Sequence, residues 1–256
     1  DEADLIAFLG NCPPEVPVTI LGVLSNTIVR DAGVEGVVIR LGREFASVTV
    51  EKGYRLYCGA AALDVNIAET AAEAGIAGLE FLCGVPGSMG GALALNAGAY
   101  GSELKEVLVR ADFIDRQGQK HSLTADELKM SYRHSEIPEG WIATGALLQG
   151  KEGVTADIQK HMTDIRNRRA ETQPIRAQTG GSTFKNPKPE DLAKAGLPEG
   201  TKAWQLVDRV GGRGLHIGGA QMSELHANFM INVGSATATD LEALGDEIRR
   251  RVADEY

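Results

Sequence analysis

Of the cysteine patterns that organise small folds this sequence has none: its three cysteines, Cys12, Cys58 and Cys83, are odd in number and show no CxxC spacing. A disulfide framework and a thiolate metal site are set aside, which leaves buried free thiols and no expected metal. Positive charge is also short. Lys and Arg number 26 against 35 Asp and Glu, a formal charge of −9, so non-specific attraction to nucleic acid or to an anionic membrane is opposed. Any phosphate must be held by local groups. No apolar run approaches the ~20 residues of a bilayer span, and Asp1–Gly10 has no basic segment ahead of an apolar stretch. The expectation is a cytoplasmic chain without membrane insertion. Repeats of fixed period and low-complexity tracts are missing too.

What the sequence has in plenty is glycine, 31 residues, above the usual ~7% and clustered. With 43% hydrophobic residues over 256 positions, the chain is long enough for two or three lobes with real cores. Residues 18–58 carry β-branched runs, Val18–Leu21, Val37–Ile39 and Val48–Val50, separated by glycines, which predicts a strand-rich beginning. From Asp64 to Gly75 an alanine-rich segment predicts a helix with Asp64 as its cap. Residues 107–123 read as a hairpin, Thr124 and Glu127 as a capping box, and Trp141–Leu148 as a buried strand.

A long helix opens at Thr155 with Ile158, Met162 and Ile165 as its apolar stripe. Arg166, Arg168 and Arg169 crowd its end, where cations complement the helix dipole; Arg166 and Arg168 read as solvated. Thr239 and Glu242 form a box for the last helix, whose face is Leu241, Leu244, Ile248 and Val252. Strands and helices alternate without regular βαβ spacing, so α+β lobes are expected, with boundaries near Gly42 and within 171–180.

Four stretches carry chemistry. Gly84-Val85-Pro86-Gly87-Ser88-Met89-Gly90-Gly91, continuing through Asn96-Ala97-Gly98-Ala99-Tyr100-Gly101, can wrap a pyrophosphate with backbone N–H groups and needs no cationic side chains. It lacks the strand, G-x-G-x-x-G, helix context of a Rossmann site, which points to a different cofactor fold. Gly22-Val23-Leu24-Ser25-Asn26 follows a strand and ends in two residues that bond phosphate or backbone; alone it is an ordinary turn. Ser131-Tyr132-Arg133-His134-Ser135 sets a guanidinium among polar residues, where it suits an anionic or enolate oxygen or a plain surface position. Gly180-Gly181-Ser182-Thr183-Phe184-Lys185-Asn186-Pro187 offers a hydroxyl that can deliver a proton when a lysine or amide holds it, or a helix-capping serine.

Taken in order, GVPGSMGGALALNAGAYG, SYRHS, GGSTFKNP and AWQLVDRVGGRGLHIGGAQMSELHANFMIN resemble the UDP-N-acetylenolpyruvoylglucosamine reductase family from about residue 18 nearly to the end. The resemblance implies an α+β fold: an FAD-binding domain of the vanillyl-alcohol-oxidase (PCMH) type made of two subdomains, 1–42 and 43–169, and a C-terminal substrate-binding lobe, 170–256. Part of the first subdomain is expected upstream of Asp1. The activity implied is NADPH-dependent reduction of UDP-N-acetylglucosamine enolpyruvate to UDP-N-acetylmuramate through FAD, in peptidoglycan precursor synthesis, by an enzyme expected to be a monomer with no nucleic-acid partner. Arg133 matches the arginine that stabilises the developing charge, and Ser182 the serine that donates the proton. Gly22, Ser25, Asn26, Gly84, Pro86, Gly87, Ser88, Gly90, Gly91, Asn96, Ala97 and Arg169 match cofactor-binding positions. Lys185, Asn186, Arg213, His226 and Asn228 match substrate-binding ones, and His226 reads equally as a buried structural histidine.

Besides the segment expected upstream of Asp1, two features depart from the family pattern, and a third marks the type within it. The first loop usually reads G-x-G-S-N, and here Leu24 stands at its second glycine. The family's glutamate beyond the last helix has no counterpart in residues 1–256. No insertion between Leu148 and Thr155 supplies a tyrosine-bearing loop, so the shorter, open type is expected. Another flavin oxidoreductase of the superfamily, or a nucleotide-sugar-binding homologue with impaired catalysis, are the alternative readings.

Overall fold

The computed structural model describes residues 1–256. Contacts divide the chain into two units, Asp1–Val23 with Glu35–Arg168, and Leu24–Val34 with Arg169–Tyr256. Residues 24–34, expected in the first subdomain, thus group with the C-terminal segment.

In the first unit the central strand β10 (Ile142–Gln149) lies between β4 (Arg55–Gly59) and β8 (Leu108–Ile114), with β3 (Val48–Glu51) and β9 (Lys120–Leu123) at the edges. The sheet order is β3-β4-β10-β8-β9, antiparallel throughout. β10 is buried on both faces over most of its length, so its sequence IATGALLQ reads as a continuous small and apolar run rather than an alternation. At its middle Gly145 pairs with Gly59. A methyl group at Gly145 would strike the Tyr57 ring and one at Gly59 the Phe45 carbonyl, so both positions need glycine for close approach.

Against this sheet pack α2 (Asp64–Glu73), α3 (Met89–Leu95) and the apolar stripe of α4 (Thr155–Thr172). Ile67, Ala68, Ala71 and Ala72 of α2 are buried, and the alanines allow its backbone to lie close to its neighbours. Ile158, Met162 and Ile165 of α4 are the predicted stripe and are buried. Two short antiparallel pairs, β5 (Ile76–Ala77) with β11 (Lys151–Glu152) and β6 (Gly98–Ala99) with β7 (Ser102–Glu103), tie down the loops. A smaller core joins α1 (Glu2–Asn11), through Leu5 and Leu9, to Phe45, Ile114 and Ile142. Beside it the parallel pair β1 (Val18–Ile20) and β2 (Val37–Ile39) completes the unit.

The second unit has a four-stranded antiparallel sheet of β12 (Gln178–Ser182), β15 (Phe229–Asn232), β14 (Ala220–Met222) and β13 (His216–Ile217), in that order. The short helices α5 (Pro189–Lys194) and α6 (Ala203–Arg209) connect β12 to β13, and α7 (Ala238–Glu255) closes the unit. Leu244 and Ile248 of α7 join Val207, Ala220, Met222 and Ala227 in the core, with Leu241 and Val252 packed at its margin.

Two predicted caps are displaced. Leu63, not Asp64, is the N-cap of α2; an antiparallel bridge from Leu63 to Ser88 holds that residue extended and places Asp64 inside the first turn. The α7 box is Thr237 with Asp240, because Asp31 occupies the predicted cap: its carboxylate accepts the Ala238 and Thr239 amides at 2.9 and 3.0 Å and the Thr239 hydroxyl at 2.5 Å. These bonds, the Thr239 hydroxyl foremost, hold Asp31 below the usual carboxylate range. Asp31→Ala is expected to lower the thermal midpoint by about 2–4 °C at neutral pH. Because the folded pKa is depressed, the bonds stabilise above the unfolded value and the deficit vanishes as pH falls through the folded one. Thermal scans of both proteins at neutral and strongly acid pH check this.

Candidate active site

The glycine loop of the first unit begins after a 3-10 turn, Glu80–Gly84, and runs into α3. Its inner side is packed and its outer side is open. A Cβ at Gly84 would come within 2.6 Å of the Tyr100 ring, and one at Gly22 within 3.0 Å of the Ser88 hydroxyl. One at Gly90 would lie 3.2 Å from the Ala60 carbonyl, whereas at Gly91 nothing stands within 4 Å. The Met89 and Gly90 amides donate to the Ala62 and Ala60 carbonyls at 2.9 and 2.8 Å, and the Gly87 carbonyl accepts the Asp64 amide at 3.1 Å. The loop is therefore fixed from behind, and it exposes Pro86 and Gly91 in front. Gly22 and Ser88, from motifs 66 positions apart, are brought together.

Asn96 caps α3 in the left-handed region at φ 41° and is fully buried. Its amide group donates to Glu103 and to the Ser131 carbonyl at 2.9 and 3.0 Å, and its carbonyl accepts the Lys105 amide at 3.0 Å. That side chain is a brace, and the Asn96 backbone N–H is turned back on the Leu93 carbonyl at 3.4 Å. Ala97 is likewise buried, with its N–H on Ala92 and its carbonyl taken by Leu104.

The brace reaches the second motif. Ser131 and His134 exchange backbone bonds across a tight turn that places Arg133 at φ 55°, a left-handed position that disfavours a residue with a Cβ by about 1–2 kcal/mol. The guanidinium donates to the Gly98 carbonyl at 2.7 Å and lies 5.4 Å from the centre of the Tyr132 ring. The Ser135 hydroxyl donates to the Leu93 carbonyl at 2.5 Å. Glycine loop and arginine are thus one assembly. Arg168, read as solvated, sits 5.9 Å from the centre of the Tyr100 ring, and Arg166 pairs with Glu69 at 2.7 Å; local spacing could not reveal either partner. Gly98 and Tyr100 lie in the predicted glycine-rich stretch but outside the positions matched to cofactor binding, and a bulky ring beside several glycines is the signal that a glycine makes room for it.

In the second unit Ser182 ends β12 beyond a bulge, with Gly181 at φ 85° donating its amide to the Thr179 hydroxyl. Bulges re-aim side chains beside active sites, and Ser182 is exposed. Ser182 lines a cleft of about 1000 Å³ together with Leu24, Asn26, Gly180 and Met230. Leu24 adopts φ 60°, the conformation that a glycine favours, and is half exposed. The backbone of the first loop thus keeps the glycine-type shape without the glycine. Ser25 and Asn26 form the turn that follows, and the Arg169 guanidinium donates to Gln173 at 3.2 Å.

The other predicted residues of this unit serve largely as scaffold. Asn228 is buried and exchanges bonds with the Phe184 backbone at 2.9 and 3.0 Å, clamping the GGSTFKNP loop. Asn186 accepts the Ala203 amide at 3.1 Å at the start of α6, and Lys185 is exposed beside it. Arg213 is held by both Asp208 oxygens at 2.8 and 3.1 Å and by the Glu224 carbonyl; the bond to Arg213 keeps Asp208 below its usual range. His226 lies edge-on to Phe229 and Trp204, and its half-burial, then the Arg213 charge, lower its pKa and favour the neutral ring.

Residues 1–124 match the family described as FAD binding domain, and residues 173–256 match the C-terminal domain of UDP-N-acetylenolpyruvoylglucosamine reductase. Fold and site together define an FAD-dependent oxidoreductase. UDP-N-acetylenolpyruvoylglucosamine reductase of Maricaulis maris is 52% identical over 256 residues, covering 100% of this chain and 80% of the relative. That of Parvibaculum lavamentivorans is 54% identical over 98% of this chain and 77% of its own length. The crystal structure of the Thermus caldophilus enzyme superposes with a TM-score of 0.83 at 34% identity, covering 100% of this chain and 86% of that one. The chain belongs to the UDP-N-acetylenolpyruvoylglucosamine reductase family.

Proposed function

We propose that this protein reduces the enolpyruvyl group of UDP-N-acetylglucosamine enolpyruvate to the lactyl ether of UDP-N-acetylmuramate, drawing on NADPH through FAD. The observation that carries the reading is the tie between Arg133 and the glycine loop through the Gly98 carbonyl. The residues fit the cofactor: a loop packed by glycine from behind and open at Gly91 supplies backbone donors for a diphosphate without cations. Gly22, Gly84, Pro86, Gly87, Ser88, Gly90 and Gly91 would hold it, with Ser25, Asn26 and Arg169 as further contacts, whereas Asn96 and Ala97, whose backbone amides are engaged within the protein, brace the loop from behind.

When bound, FAD supplies hydride to the terminal carbon of the enolpyruvyl group. Negative charge then develops on the adjacent carbon and its carboxylate, and the Arg133 guanidinium stabilises it by more than it stabilises the uncharged alkene. The Ser182 hydroxyl gives its proton to that carbon, completing the addition of hydride and proton across the double bond. Lys185 and Arg213 bind the anionic parts of the substrate, with Asn186, Asn228 and neutral His226 holding the loops that carry them. The passage from β10 through Gly150 directly to β11 supports the open type without a tyrosine loop. No helix is long and apolar enough to cross a membrane.

The test is anaerobic. NADPH is expected to bleach the bound flavin, and the enolpyruvyl sugar to restore its colour with formation of one UDP-N-acetylmuramate per flavin. Bleaching without recovery points to a different oxidised substrate and removes the assignment.

A further inference from the structure

Behind the glycine loop sits a carboxyl group that no other protein group satisfies. Asp64, the first residue of α2, is fully buried, and neither of its side-chain oxygens has a hydrogen-bond partner. Backbone bonds fasten its segment to the loop: Asp64 N–H to the Gly87 carbonyl, the Leu63–Ser88 bridge, and the Met89 and Gly90 amides to Ala62 and Ala60. Residues 60–64 and 87–90 form one piece, so a disturbance at Asp64 reaches the loop.

An unpaired carboxylate in such a place is far less stable than the neutral acid. Burial accordingly pushes Asp64 up to about 8. The ionisable group coupled to it is Cys58 on β4, itself buried and pushed up to about 12, by burial first and then by Asp64. Charged groups on the elements around α2 offer no compensation. Glu51 on β3 and Glu73 on α2 are exposed, Glu69 is paired with Arg166 of α4, and Glu80 accepts the Gly78 amide.

We propose that Asp64 is a positioning residue of the cofactor loop: kept as the uncharged acid it lets the backbone bonds of its segment hold the Gly87–Gly90 turn closed for FAD, and its ionisation in alkaline solution loosens that turn and releases the cofactor. This rests on the FAD reading. Ionisation puts a charge into a buried site with no protein donor to meet it, and a cofactor diphosphate held by the loop would itself be an anion. Each negative charge therefore disfavours the other, and binding takes up a proton at Asp64 wherever the free chain has lost it. The sign for stability follows. An acid whose folded pKa is raised above its unfolded value stabilises fully below the unfolded value, and that stability is lost as pH rises toward about 8.

Proton uptake on adding FAD to the full chain stripped of flavin can be measured by calorimetry in two buffers of different ionisation enthalpy. Uptake is expected to be small near pH ~6.5 and to rise toward about one proton per FAD near pH ~9; none at any pH overturns the proposal. FAD affinity, followed by flavin fluorescence, is expected to fall by up to about tenfold per pH unit above pH ~8 in the parent, and to stay level in Asp64→Asn, which cannot ionise. Equal slopes in the two overturn it. Denaturant unfolding of the flavin-free proteins gives a third reading: Asp64→Asn is expected to gain about tenfold in its folding equilibrium per pH unit between pH ~4 and ~8 relative to the parent. No gain means that Asp64 is not held uncharged. If the variant does not fold, proton uptake by the parent decides. A parent chain that binds no FAD at pH ~6.5 removes the cofactor reading and this proposal with it, whereas binding with no linked proton removes the Asp64 role alone.

Discussion

Ser182→Ala is expected to leave bleaching of the bound flavin by NADPH at its parental rate, and to slow the return of colour on adding the enolpyruvyl sugar by about 10²–10⁴-fold, the usual contribution of a positioned general acid. The substitution removes one exposed hydroxyl and nothing that builds the strand. The bulge before it is held by Thr179, whose hydroxyl donates to the Met230 carbonyl at 2.6 Å and accepts the Gly181 amide at 3.2 Å. Thr183 continues the pairing through the Asn228 carbonyl at 2.8 Å. Structure and cofactor binding should thus survive, and only the proton is lost. Rapid-mixing absorbance of the two half-reactions checks the split; equal slowing of both would take the proton-donor role away from Ser182.

Arg133→Lys is the second large effect, an expected loss of about 10²–10³-fold in the same half-reaction. Lysine keeps the charge but offers a point donor on a flexible stem. It cannot bond the Gly98 carbonyl and still present a planar fork to a carboxylate. The parental guanidinium is already oriented by that 2.7 Å bond and by the Tyr132 ring, so little ordering remains for the reaction itself. Steady-state turnover with saturating NADPH measures the loss, and an unchanged rate removes Arg133 from the chemistry.

Much of this was legible because the physics is local. Glycine clusters announce backbone that bends or comes close, and the apolar stripe of α4 and the strands at Val37–Ile39 and Val48–Glu51 follow from short-range periodicity. The failures share a different cause. Thr237-x-x-Asp240 and Thr239-x-x-Glu242 are overlapping boxes of nearly equal quality, and the choice between them is made by Asp31, more than 200 positions away. Asp64 has the residue type of a cap and the position of one, yet the bridge to Ser88 assigns the cap to Leu63. Asn96, Asn186 and Asn228 were readable as polar residues in motifs. That their amides brace the protein's own backbone required partners from distant segments.

The left-handed turn at Arg133 has an outcome for anyone who engineers this chain. A glycine would relax that backbone, so Arg133→Gly is expected to melt at the parental temperature or slightly above it, despite losing the bond to Gly98. Differential scanning calorimetry would reveal this, and a midpoint several degrees lower would show that the guanidinium contributes more to the fold than its strained backbone takes away. Heat challenge alone would accordingly enrich inert clones at this codon, and selection for robustness must be coupled to turnover from the first round.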